Sequence, residues 1–101
     1  MPFLEVKGGP RPRRIKLDGS SVSIGRLADN VVAEDESSLS RKHCVIEFVE
    51  GAWQVRDLQS RNGTRVNGGK ISKKRLAHPD VIRIGKLEIH FVSPEEAVLN
   101  A

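Results

Sequence analysis

Apolar residues in this chain alternate with polar ones instead of recurring at the three-to-four-residue spacing of a helix. Ile15 and Leu17, Val22 and Ile24, Val45 with Ile46 and Phe48, and Trp53 with Val55 each mark an extended segment whose side chains point by turns to opposite faces. The clearest case runs from Val81 to Val92. There Ile82 and Ile84 lead into Gly85, and Leu87, Ile89 and Phe91 resume the period of two, as the arms of a hairpin do. Between the segments stand turn formers, at Gly8-Gly9-Pro10, Asp18-Gly19, Glu50-Gly51, Asn62-Gly63 and Asn67-Gly68-Gly69, many near the short spacing of sandwiches and barrels. The pattern predicts an all-β domain. Only the tail reads as helix: Pro94 suits the first helical position, and Ser93 and Glu96 have the spacing of a reciprocal cap. That helix is expected to be short and peripheral. No repeat, low-complexity tract or linker interrupts residues 3–92, so one domain over 1–101 with a core of about 3–92 is expected.

Composition narrows the class further. With 101 residues, 38% hydrophobic and 30% charged, the chain has room for one packed core under a solvated surface and not for a second fold. Its longest apolar stretches are a few residues, against the ~20 that span a bilayer, and the N-terminus lacks the basic-then-apolar order of a signal peptide. A cytoplasmic location is expected, with no membrane partner. One cysteine, Cys44, excludes an internal disulfide, and three histidines form no Cys/His cluster at zinc spacing, so neither a metal nor a cofactor is expected.

The net charge of +4 and pI near 9.6 favour an anionic partner, leaving nucleic acid, membrane lipid and phosphorylated protein open. Cations crowd at Arg11, Arg13, Arg14 and Lys16 and again at Lys70, Lys73, Lys74 and Arg75, both read as solvated surface. The aromatics are only Phe3, Phe48, Phe91 and Trp53, too few for a base-stacking platform.

Binding residues on a β scaffold usually sit in its loops, and three loop segments carry suitable chemistry. Gly25-Arg26 places a guanidinium where a strand gives way to a loop. Ser37-Ser38-Leu39-Ser40-Arg41-Lys42-His43 interleaves hydroxyls with cations ahead of the strand near Cys44, and Ser60-Arg61-Asn62-Gly63-Thr64 brings small donors and another arginine. Together they suit a phosphate, which offers three strong acceptor oxygens and about −1.5 to −2 charge. Taken singly each has a plainer reading. Asn62-Gly63 and Asn67-Gly68 are preferred hairpin turns, His43 reads as a core histidine, Cys44 as a small hydrophobe and Trp53 as core filling. Ser40 and His43 lack both a G-x-S-x-G elbow and an orienting aspartate, so no enzyme is expected.

Joint spacing decides between these readings. Gly25-Arg26 with Asp29-Asn30, then Leu39-Ser40-Arg41-Lys42-His43, then Asp57-Leu58-Gln59-Ser60-Arg61-Asn62-Gly63-Thr64-Arg65-Val66-Asn67-Gly68, then Asp80-Val81-Ile82-Arg83-Ile84-Gly85 resembles, in order, the signature of the forkhead-associated (FHA) domain. The resemblance covers residues 22–92. It implies an FHA-like β-sandwich of about eleven strands whose loops at one end bind a phosphothreonine peptide in signalling, with no catalytic activity. Arg26 resembles the family's phosphate-gripping arginine and Ser40 its phosphate-binding hydroxyl, with Arg41 as a further phosphate contact. Asn62 resembles the residue that bonds the ligand main chain, with Ser38 and Arg61 beside it in peptide binding. Gly25, His43, Gly63, Thr64, Asn67 and Gly68 match architectural positions.

Two departures stand out. Arg61 occupies a position often held by threonine or serine, replacing a small hydroxyl by a guanidinium that can reach the phosphate or an acidic ligand residue. Pro79 stands where glycine is usual before Asp80, in a turn expected to lie away from the site. The acidic run Glu34-Asp35-Glu36 reads as a solvated face, the alternative being that it repels acidic ligands and favours basic residues flanking the phosphothreonine. Thr64 is the only threonine and belongs to the structural motif, so the implied phosphothreonine comes from another protein or from a part of the same chain absent here. A small basic β domain that binds nucleic acid, and a phosphate-independent protein-interaction module, remain the competing readings.

Overall fold

In the computed structural model, which describes residues 1–19 and 21–99, the alternating segments become eleven strands. They are β1 (Phe3–Lys7), β2 (Arg13–Lys16), β3 (Val22–Gly25), β4 (Val32–Ala33), β5 (Cys44–Val49), β6 (Ala52–Asp57), β7 (Thr64–Val66), β8 (Gly69–Ile71), β9 (Lys73–Arg75), β10 (Val81–Ile84) and β11 (Leu87–Val92), followed by one helix, α1 (Pro94–Leu99). One sheet has the order β2-β1-β11-β10-β7-β8 and the other β4-β3-β5-β6-β9. The chain is an all-β sandwich with a short helical tail, as the hydrophobic pattern and the resemblance both imply.

The period of two explains the core. Leu4, Val6, Ile82, Ile84, Leu87, Ile89 and Phe91 face inward from the six-stranded sheet and meet Val22, Ile24, Cys44, Ile46, Trp53 and Val55 from the other. Each large apolar side chain buried this way contributes about 1.5–3 kcal/mol. The β10–β11 hairpin expected from the sequence pairs Ile82 with Ile89 and Ile84 with Leu87. Turns at Glu50-Gly51 (φ 50° and 80°) and Asn67-Gly68 (φ 51° and 90°) place both central residues in the left-handed region, which matches the twist of a two-residue hairpin. Asn67 does more than turn the chain. Its Nδ2 donates to Asp80 Oδ1 at 2.9 Å and its Oδ1 accepts the Val81 N–H at 3.0 Å, tying β7 to the start of β10.

Several local expectations are corrected by tertiary contacts. Glu96 does not reach back to close a cap on Ser93; its carboxylate accepts the His78 N–H at 2.7 Å, while the Ser93 N–H donates to His78 Nδ1 at 3.1 Å. Of the run Glu34-Asp35-Glu36 only Asp35 is a solvated side chain. Glu34 is only 6% exposed, held by Arg13 at 3.1 Å and approached by Arg11 at 4.0 Å, and Glu36 accepts the Lys86 N–H at 3.2 Å. In the first cationic group Arg13 is partly covered by its contact with Glu34, while Arg14, still exposed, pairs with Glu5 at 3.5 Å and lies over the Phe3 ring at 4.6 Å. In the second group Lys74 pairs with Asp80 at 3.3 Å. Phe48 keeps its place in the alternation but sits at the turn end of the β5–β6 hairpin, 53% exposed and edge-on to Trp53 at 5.3 Å.

Ile46, fully buried at the centre of β5, tests the packing directly. Ile46→Ala is expected to lower stability by about 2–5 kcal/mol in urea unfolding followed by circular dichroism.

Candidate functional site

The end of β3 lies against the loop that precedes β5, backbone to backbone. A methyl group on Gly25 would fall 2.3 Å from the Arg41 carbonyl oxygen, so only glycine permits the approach. Across it the Arg26 N–H donates to Ser40 O at 3.0 Å and the Leu27 N–H to Arg41 O at 3.3 Å. Asn30 locks the pair: buried, it donates from Nδ2 to Leu27 O at 2.8 Å and to Arg41 O at 2.9 Å. Arg26 thus leaves the sheet beside Ser40 and Arg41 because their backbones are hydrogen-bonded together.

A fully buried imidazole joins the second loop to the third. His43 Nδ1 accepts the Ser40 N–H at 3.1 Å and Nε2 meets Gly63 O at 2.9 Å. An amide can only donate and a carbonyl can only accept, so the ring is neutral with its proton on Nε2. Two further bonds bridge the loops. Ser40 Oγ accepts the Arg61 N–H at 2.9 Å, and Asn62 Nδ2 donates to Ser38 O at 2.9 Å.

The third loop is shaped by Asp57 at the end of β6. Its carboxylate accepts the Ser60 N–H at 3.0 Å, the Ser60 hydroxyl at 2.5 Å and the Thr64 hydroxyl at 2.7 Å, and Ser60 Oγ accepts the Gly63 N–H at 3.0 Å. Burial pushes the Asp57 carboxyl up, but these hydrogen bonds outweigh it and hold the group below its ordinary value. Next to it, burial pushes the Cys44 thiol up to about 12, with the Thr64 hydrogen bond opposing and the Asp57 charge adding, so Cys44 packs as a neutral small residue.

The three loops enclose an open cleft of about 470 Å³ lined by Arg26, Ser37, Ser38, Leu39, Ser40, Arg41, Lys42, Arg61 and Asn62. All six residues singled out for phosphate or peptide contact, Arg26, Ser38, Ser40, Arg41, Arg61 and Asn62, reach it. Gly25, His43, Gly63, Thr64, Asn67 and Gly68 lie outside its lining and hold the loops or a neighbouring turn. Pro79, in the turn from Ala77 to Asp80, lines no part of it. Among the described residues Arg26, Arg41 and Arg61 have no carboxylate within 4.0 Å, whereas Lys42 pairs with Asp29 at 3.1 Å. The Ser38 hydroxyl donates its proton to Glu36 and the Ser38 carbonyl accepts from Asn62, so the hydroxyl oxygen can only accept from a ligand. Ser40 differs: because its oxygen accepts from Arg61, its proton remains free to donate into the cleft.

Sequence reasoning did not single out Asn30 and Asp57 as organisers, nor Ser37, Leu39 and Lys42 as lining. Asp57 carried a usable signal, since an aspartate three residues before a serine favours a side-chain-closed turn. Asn30 stood in the family signature, but its bond to the Arg41 carbonyl is made only by the fold.

Residues 22–85, which hold the cleft and both strands flanking it, match the family model described as the FHA domain. The chain belongs to the FHA family. Among its relatives, the glycogen accumulation regulator GarA of Mycolicibacterium smegmatis is 36% identical over 92 residues, covering 90% of this chain and 58% of GarA. The chain therefore spans less than two thirds of that relative. Among solved structures, the FhaA FHA domain complexed with the intracellular domain of Rv3910 aligns with a TM-score of 0.81 at 33% identity over 91% of this chain and 100% of that one. EmbR of Mycobacterium tuberculosis, in complex with a low-affinity phosphopeptide, aligns at 0.77 and 33% over 89% of this chain and 24% of its own. The eleven strands in two sheets are those of an FHA sandwich.

Because folding lowers the Asp57 value, its contribution is complete well above the ordinary 3.8 and is lost as pH falls through the folded value. Urea midpoints measured between about pH 6 and pH 3 are expected to fall less steeply for Asp57→Asn than for the parent.

Proposed function

We propose that this chain is a phosphothreonine-peptide-binding module that brings proteins together when one of them is phosphorylated. The observation that carries this reading is the convergence of three guanidiniums without carboxylate partners, Arg26, Arg41 and Arg61, on a cleft that also receives the free proton of Ser40. A phosphate dianion supplies the missing charge and accepts charge-assisted bonds from each. Arg26 and Ser40 grip the phosphate, Arg41 adds to its charge compensation, and Asn62 and Ser38 hold the ligand main chain. Arg61 contacts the phosphate or an acidic ligand residue from the third loop.

An unmodified threonine offers this cleft one hydroxyl, so capture follows kinase activity. That dependence suits signalling in the cytoplasm, where kinases and ATP meet. The role is binding and not catalysis. Both ring nitrogens of His43 are engaged by backbone groups, so it has no free nitrogen to activate Ser40. Residues 1–101 act as one domain, with its core at about 3–92. The ligand belongs to a partner protein or to a part of the same chain absent here, because Thr64 is the only threonine, is buried and has its hydroxyl bonded to Asp57.

Bonds to charged groups are worth about 1.5–3 kcal/mol each, so loss of one weakens binding by roughly ten- to a hundredfold. Calorimetric titration with a phosphothreonine peptide is expected to show at least that loss for Arg26→Ala and for Ser40→Ala, with circular dichroism unchanged. Undiminished affinity in either variant, or equal affinity for the unphosphorylated peptide, would remove the proposed site.

A further inference from the structure

The outward face of the six-stranded sheet carries charges that the fold does not require. In register across its strands, Lys70 of β8 stands opposite Arg65 of β7, Arg65 opposite Arg83 of β10, Arg83 opposite Glu88 of β11, and Glu88 opposite Lys7 of β1. Directly opposed side chains share a face, and like charges so placed destabilise a sheet. Four cations and one carboxylate therefore make a row with two successive cation–cation steps at the β8 end. Glu88 answers Arg83 at 3.7 Å and His90 at 3.0 Å; among the described residues Lys70, Arg65 and Lys7 have no carboxylate within 4.0 Å. Alternation of sign is freely available at exposed sheet positions, so a row whose single carboxylate answers, of its cations, only Arg83 keeps an unspent attraction for an anion at Lys70 and Arg65.

The row begins at the cleft. A methyl group on Gly63 would lie 2.7 Å from Lys70 Cε, so the lysine stem packs against the residue following Asn62. From Lys70 two strand spacings reach Arg83, on the order of 10 Å, which about three residues of extended chain span. We propose that the Lys70, Arg65 and Arg83 row is a second contact for the same phosphorylated partner, taking an acidic segment that continues from the phosphothreonine. This rests on the reading of the cleft given above. An acidic polypeptide fits better than nucleic acid: the aromatic on this face, Phe3, is covered by the Arg14 guanidinium at 4.6 Å and offers no open stacking surface.

The test uses fluorescence anisotropy of the whole chain with a short phosphothreonine peptide and with the same peptide extended by a run of glutamates before or after the phosphoresidue. Exposed ion pairs are individually weak and screened by salt, so three of them are expected to tighten binding by roughly five- to tenfold at about 50 mM salt and not at about 500 mM. The Arg65→Ser/Arg83→Ser variant, altered only at exposed positions, is expected to bind the short peptide as the parent does and to lose the gain from the extension. A parent that binds the short peptide yet gains nothing from either extension overturns this second contact alone. A gain that persists in the double variant also overturns it, as does an oligonucleotide that competes with the glutamate run and depends on the same two arginines. A short phosphopeptide that fails to bind the parent overturns the cleft reading, and this extension of it falls too.

Discussion

The buried imidazole of His43 is the contact on which the binding end of this sandwich depends. Its side chain joins Ser40 to Gly63, while its own N–H donates to Ile24 O at 2.8 Å and its carbonyl accepts the Leu58 N–H at 2.9 Å. One residue thus fixes the end of β3, the loop before β5 and the loop before β7 to a common point. With the ring removed, a donor and an acceptor would lose their partners, at about 1–3 kcal/mol for each left buried and unsatisfied. Leu39 anchors the loop before β5 in the core, and these polar contacts complete the mutual placement of the three loops.

Around that point some side chains only hold the loops, others only face solvent, and Ser40 and Asn62 do both. Asp57, Ser60, Thr64, Asn30 and Gly25 direct their bonds inward, each satisfying backbone groups or one another. Arg26, Arg41 and Arg61 direct theirs outward and find no carboxylate among the described residues. Leaving three cations together is tolerable because the Asp57 network and the backbone bonds hold the loops without their help. Preorganised in this way, the cleft loses little conformational freedom when an anion enters.

Much of this was readable from the residue order, for reasons that differ by element. The strands followed from the period of two, since each inner face is buried against the opposite sheet and a one-residue slip would expose it. Glu50-Gly51 and Asn67-Gly68 announced their hairpins because left-handed backbone restricts the residue type. Four spaced motifs named the cleft. What stayed hidden were pairings made across the fold. Glu96 meets His78, Glu34 is drawn under Arg13, and Asn30 finds the Arg41 carbonyl, all partners that no local pattern specifies. Phe48 kept its phase but not its cover, because alternation gives the face a side chain points to and not what the opposite sheet sets over it.

The placement of Trp53 has a practical side. It is the only tryptophan, tyrosine is absent, and it sits with Phe48 near the hairpin turn, while the cleft adjoins the other end of β5 and β6, where Cys44 pairs with Asp57. Four residues of strand, roughly 13 Å, separate the two. Intrinsic emission therefore monitors the integrity of the sandwich and is nearly blind to occupancy of the loops, giving a built-in optical gauge of unfolding that a ligand does not confuse.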